Sequence, residues 1–228
     1  MILCPLCHHE ATVGAVPESE QRSYKSRPFN IANGYAEGKV RINQSVPAIA
    51  AGSNQFVGEG AFLVVDQEEL ISLNLGVSGA LELSVELYDR KDQLLALIER
   101  NEWISGDPLP WDLESGFQWI KLRWKLGDVV LKIDARNFPI EIRGDLWRKG
   151  QKFQISRDWI RFNGVLQNIK LSDLCLVALR LVVDTASKSF QIQPDPRFGK
   201  GVIVSWPDIP ERVRRGLESW GQMKGGEG

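Results

Sequence analysis

"LELSVELYD" (residues 81–89) decides how the rest of this chain is read. Successive side chains of an extended strand point to opposite faces, so Leu81, Leu83, Val85 and Leu87 line one side while Glu82, Ser84 and Glu86 line the other. The stretch is a half-buried β-strand, and the same pattern recurs downstream. It returns in "IKLRWKL" (120–126), with Ile120, Leu122, Trp124 and Leu126 set against Lys121, Arg123 and Lys125. It returns again in "VLKIDAR" (130–136), "IEIR" (140–143), "KFQIS" (152–156) and "SFQIQ" (189–193). The connections "YDRKDQ", "LGD", "NFP", "RKGQ" and "SRD" are short enough for hairpins or tight corners, which predicts an antiparallel meander.

Two segments break the alternation. "LCLVALRLVV" (174–183) is apolar on both sides except at Arg180 and reads as a central strand covered on both faces, with a buried helix as the alternative. "DIPERVRRGLESWGQM" (208–223) predicts a C-terminal α-helix, capped by Asp208, opened by Pro210 and striped by Val213, Leu217 and Trp220. The expected fold is all-β, with about ten strands in an antiparallel sandwich, barrel or roll and one C-terminal helix. A β-solenoid is the alternative architecture, although no fixed-length repeat is visible. Residues 1–56 are expected to form an irregular arm with one short strand, "KVRI" (39–42), followed by a β-rich domain over 57–206 and a helix and tail over 207–228.

The chain has 228 residues, of which 43% are hydrophobic and 25% charged, enough for one sizeable core. A formal charge of −1 provides no global attraction to nucleic acid or anionic lipid. No apolar run approaches the roughly 18 to 20 residues that span a bilayer, and no export signal is visible, so no membrane partner is expected and a cytoplasmic location is. Three cysteines do not make a secreted disulfide framework.

Two of those cysteines and both histidines fall in "CPLCHHE" (4–10). Two thiolates three positions apart grip one ion from a tight turn, so Cys4 and Cys7, with His9 or His8, are candidate zinc ligands. Zinc wants four ligands, and Cys175 lies inside the apolar run as a buried hydrophobe, so a zinc shared between two protomers is the economical closed site. The Cys-Pro-Leu-Cys run resembles, over four residues, the dimer-clasping zinc hooks of chromosome-maintenance ATPases. Haem attachment and zinc deamination do not fit the position or order of these ligands.

With no histidine after His9, a Ser-His-Asp or Cys-His device in the core has no base, and neither a Walker A sequence nor a nucleophile elbow is present. "ERNEWISGDPLPWDLE" (99–114) gathers carboxylates, including Asp107 and Asp112, around Trp103 and Trp111 and could hold a sugar or act as a carboxylate-based glycosidase; the plainer reading is turn chemistry with tryptophans capping the core. Residues 60–116 carry twelve acids against three bases, and residues 117–152 nine bases against four acids. Lys121, Arg123 and Lys125 would then form a basic ladder. Cross-strand pairing in the same sheet is its favoured partner, followed by a protein partner or a second copy, and nucleic acid last. The expectation is a non-catalytic binding or assembly module.

Overall fold

The computed structural model describes residues 36–105, 112–125 and 128–205, with a few positions between 13 and 22. These contain nineteen strands. The first nine are β1 (Ala36–Lys39), β2 (Ala48–Ala51), β3 (Asn54–Val57), β4 (Gly60–Val65), β5 (Glu68–Leu75), β6 (Leu81–Tyr88), β7 (Leu94–Glu99), β8 (Glu102–Ser105) and β9 (Asp112–Gly116). Then come β10 (Trp119–Lys125), β11 (Asp128–Asp134), β12 (Ile140–Arg148), β13 (Gln151–Ile155) and β14 (Ile160–Asn163). The last are β15 (Ile169–Leu171), β16 (Leu174–Val177), β17 (Leu179–Asp184), β18 (Ser189–Pro194) and β19 (Val202–Ser205).

Two ladders account for most pairings. One runs β1, β8, β7, β6, β5, β4, β17, β18, antiparallel except where β17 lies parallel to β4. The other runs β9, β10, β11, β12, β2, β3, β16, β19, with β2 parallel to β12 and β16 parallel to β3. From the C-terminal half of β12, the strands β13, β14 and β15 continue as a meander. The ladders meet at Trp147 of β12 and Tyr88 of β6, giving one curled, half-barrel sheet. A solenoid is not what forms, because neighbours are mostly antiparallel.

The inner faces of both ladders close on one core. Leu73, Leu83 and Ile98 from one side pack in the same cluster as Ile133, Ile142, Phe153 and Phe162 from the other. Phe162 anchors it by edge-to-face contacts with Phe153 (5.3 Å between centroids) and Phe190 (4.9 Å). A void of about 20 Å³, lined only by apolar groups such as Ile49, Phe56 and Leu181, is room for a single water. Among the described residues the interior is a packed core.

The chain crosses between ladders at two bends. β3 and β4 are one run bent at Gly58 and Gly60, with φ of 123° and 121°. β16 and β17 are a second run, parallel to the first and bent at Ala178, with φ of 52°. The Ala178 amide donates to the Val57 carbonyl at 2.8 Å, so the runs stay joined through the corner. Over this corner Arg197 grips the buried Asp195 carboxylate with Nε and Nη2, at 2.9 and 3.0 Å. A Cβ on Gly60 would lie 1.6 Å from Arg197 Nη2 and 2.2 Å from Asp195 Oδ2.

Three two-residue hairpins join consecutive strands, two of them near the joint between the ladders. Asp66-Gln67, Arg100-Asn101 and Lys149-Gly150 have positive φ at both positions, as type I′ turns require. Arg148, 12% exposed, ties two of them to a third turn: its Nε donates to Glu68 at 2.8 Å, its Nη1 to Asp92 at 2.8 Å, and it lies 4.0 Å over the Tyr88 ring. Burial and the hydrogen bond from its hydroxyl to Glu86 push Tyr88 up to about 12.

The strand count is nearly double the ten expected, because many strands have three to five residues, too few to display a period. The arm expected over 1–56 contributes β1, β2 and β3, and the strand expected at 39–42 lies at Ala36–Lys39. The single strand expected over 174–183 is two. β16 buries both faces, Leu176 in the main core and Cys175 with Ala48 and Val57 on the other, while β17 alternates. The C-terminal helix expected over 208–223 lies outside the described residues, which are helical only at 18–20 and 22. No helix among the described residues is long and apolar enough to cross a membrane.

Gly60→Ala meets both a disallowed backbone angle and the Arg197 clamp, and it should lower unfolding free energy by about 3 kcal/mol or more in urea titrations. Gly79→Ala, where φ is 77° but the space is open, should cost about 1 kcal/mol. Arg148→Met removes the bonds to Glu68 and Asp92, which keep Lys149 as a partner, and should cost about 1–2 kcal/mol by the same measurement. A loss under 1 kcal/mol would mean that this joint does not hold the ladders together.

Candidate functional site

Because the interior is closed, ligand chemistry belongs on the outer surface. A groove of about 660 Å³ runs there along β4, β17 and β18. Alternation in β17 sends Leu179, Leu181 and Val183 inward, which leaves Arg180, Val182 and Asp184 outward. Register fills in the neighbours: Val64 and Gln191 flank Val182, Glu69 lies beyond Val64, Gln193 is opposite Arg180 and Ser189 opposite Asp184.

Arg180 faces outward only because of the bend. Leu176 is in the core; uninterrupted alternation would put 178 and 180 there too. The left-handed residue Ala178 shifts the phase by one, so Leu179 and Leu181 point in and the guanidinium points out.

Polar groups in the groove are unevenly satisfied. Asp66 accepts from the Thr185 amide at 2.7 Å and its hydroxyl at 2.6 Å. Burial works to raise this carboxyl, but the Thr185 bonds and the Lys149 charge hold it below the usual range. Gln193 Nε2 donates to Gln191 Oε1 at 2.6 Å. Asp184 accepts from the Ser187 amide at 2.7 Å, and Ser189 shares a hydroxyl hydrogen bond with Ser187 at 2.9 Å. Arg180 has no ion pair among the described residues, and its Nε is buried without a hydrogen-bond acceptor. Its field adds to that of Arg197 in holding the buried Asp195 carboxyl below its ordinary value, against the upward push of burial.

The groove therefore offers a guanidinium whose Nε lacks an acceptor, amides, a hydroxyl, three valines and three carboxylates. These charged and hydrogen-bonding groups can hold and orient a ligand.

The residues singled out in the sequence lie elsewhere. Cys4, Cys7, His8, His9, Asp107 and Trp111 are outside the described residues, which contain no cluster of metal-ligating side chains. Trp103 is 5% exposed within the core, its indole packed against Gly38 where no Cβ intervenes. Asp112 opens β9 and Lys125 closes β10. Lys121 and Arg123 both bind Glu114 across the β9–β10 pair, Lys121 at 2.9 Å, and these two cations hold its carboxyl below the usual range. Lys132 pairs with Glu141 at 3.4 Å, Arg143 with Glu141, and Lys152 with Asp145 at 2.5 Å. Lys121 and Arg123 of the basic ladder are matched within their own sheet, as cross-strand charge pairing expects, while the Lys125 side chain lies outside the described ones. Burial pushes the Cys175 thiol up to about 11, which keeps it an inert core group.

Compared with known proteins, the chain has no significant match to a family model, a curated protein or a solved structure.

The charge pairs make stability sensitive to acid. Hydrogen bonds from Arg136, opposed by burial, lower Asp134 from 3.8 to about 2. A depressed folded value stabilises above the unfolded value and is lost as pH falls through the folded one, so Asp134 should contribute about 1–2 kcal/mol at neutral pH that disappears between about pH 4 and 2. Urea titrations from pH 5 to 2 should show that slope, and Arg136→Gln should flatten it. An unchanged slope in the variant would exclude this pair as its source.

Proposed function

We propose that this protein is a non-catalytic binding module whose ligand lies in the outer-face groove of β4, β17 and β18. Arg180 carries the reading. A buried guanidinium donor without an acceptor costs about 1–3 kcal/mol, and among the described residues no side chain accepts from Arg180 Nε. Such an arrangement is retained where a ligand supplies the acceptor, since stability is commonly lower at sites kept for function. The volume falls within the range of small-molecule sites, and the mixed lining of amides, valines and charges can orient a bound group.

Arg180→Met keeps the side-chain stem and removes the unsatisfied donor, so it should raise unfolding free energy by about 1 kcal/mol in urea titration. In the wild type, sodium propionate should shift NMR signals of Arg180, Val182 and Gln193 saturably, and the variant should lose those shifts. A variant destabilised by more than about 1 kcal/mol would make Arg180 a structural residue and remove the support for the groove.

A further inference from the structure

Resting on the groove reading, we propose that the ligand is a short extended peptide bound as a zwitterion, its carboxylate on Arg180 and its ammonium at the Asp184 end. Three observations narrow the class. First, the lining sets one cation against three carboxylates, Asp66, Glu69 and Asp184, so a phosphate or other multiply charged anion would gain one contact and be repelled by the rest. A ligand with one negative and one positive end matches that distribution.

Second, the charges are spaced. Arg180 and Asp184 are four residues apart on a single strand, about 13 Å between Cα atoms, and an extended chain of about four residues covers that span. Asp66 is occupied by Thr185 and Lys149 and Glu69 is level with Val182 at mid-groove, which leaves the exposed Asp184 to receive the ammonium at that end. Third, the floor between the ends is Val64 beside Val182, with Gln191 and Gln193 along one wall. A small apolar side chain fits over the half-buried Val182, and the two amides can donate to and accept from peptide groups. Because the groove lies on a sheet face, the peptide does not extend a strand ladder; its specificity resides in its two ends.

Tetraalanine with free termini tests the assignment against its C-amide, its N-acetyl form, dialanine and inorganic phosphate, followed by chemical-shift titration of the full chain. Tetraalanine should saturate shifts at Arg180, Val182 and Asp184, and each cap, and the shorter dialanine, should weaken binding at least ten-fold. Phosphate should bind no better than the capped forms. Arg180→Gln should abolish the difference between free acid and amide, and Asp184→Asn that between free amine and N-acetyl. Equal binding of free and capped peptides would overturn the zwitterion. If propionate shifts the Arg180 signals but tetraalanine binds no tighter, the groove reading stands and the peptide assignment falls. If neither shifts them, both fall.

Discussion

Two ladders can enclose one dry interior only if the chain passes between them without leaving backbone groups unpaired. Here two parallel runs, 54–65 and 174–184, bend side by side and stay hydrogen-bonded through the corner. Gly58 and Gly60 supply backbone angles that side chains resist, Ala178 adopts one of them without glycine, and the Asp195–Arg197 pair fills the space that Gly60 leaves open. A corner where strands change sheets is a known way to close orthogonal β-layers. Core, register and outer surface all follow from it.

The surface consequence is the placement of Arg180. In a strand whose two faces are both apolar, hydrophobicity does not say which residue turns inward. The phase shift at Ala178 makes that choice and leaves a guanidinium on the outside of an otherwise aliphatic segment. Most other strongly placed cations of the sheet have a carboxylate partner: Arg148 on Glu68 and Asp92, Lys121 and Arg123 on Glu114, Arg136 on Asp134. Arg180 stands out against that background because its Nε has no acceptor. Partial satisfaction of this kind inside a groove is a physical reason to look for a ligand there.

The parts of the fold that were legible share a property: they are strands of five or more residues with one wet face. β6, β10, β11, β12, β13 and β18 announce themselves by alternation, and their outward charges pair as their sequence order suggests. Of the strands that escaped reading, β2, β3, β14, β15 and β19 have three or four residues, too short for a period, while β4, β5 and β7 are longer but do not alternate, β4 being buried at all six positions and β5 throughout Leu70–Leu73. Hairpins at Asp66-Gln67 and Arg100-Asn101 lack the glycine that normally signals a type I′ turn. Trp103 is a core residue, as the plainer reading of its segment expected and the sugar-binding alternative did not, since β8 pairs with β1 and β7 and its indole is covered. The one clue to the groove in the sequence was Arg180, the single charge in a run of aliphatics.

The sequence alone determined the all-β class, the antiparallel meander of the long alternating strands, the cross-strand charge matching and the scarcity of proton-transfer groups, because each is a local pattern of residue types. Only the tertiary structure decided that residues 36–57 join the sheet, that 174–184 bends into two strands, and which face presents Arg180. Those outcomes depend on pairings between segments more than a hundred residues apart, such as β3 with β16 and β4 with β17. Their energy lies in long-range backbone hydrogen bonds and shared burial, which leave no periodic trace in either partner.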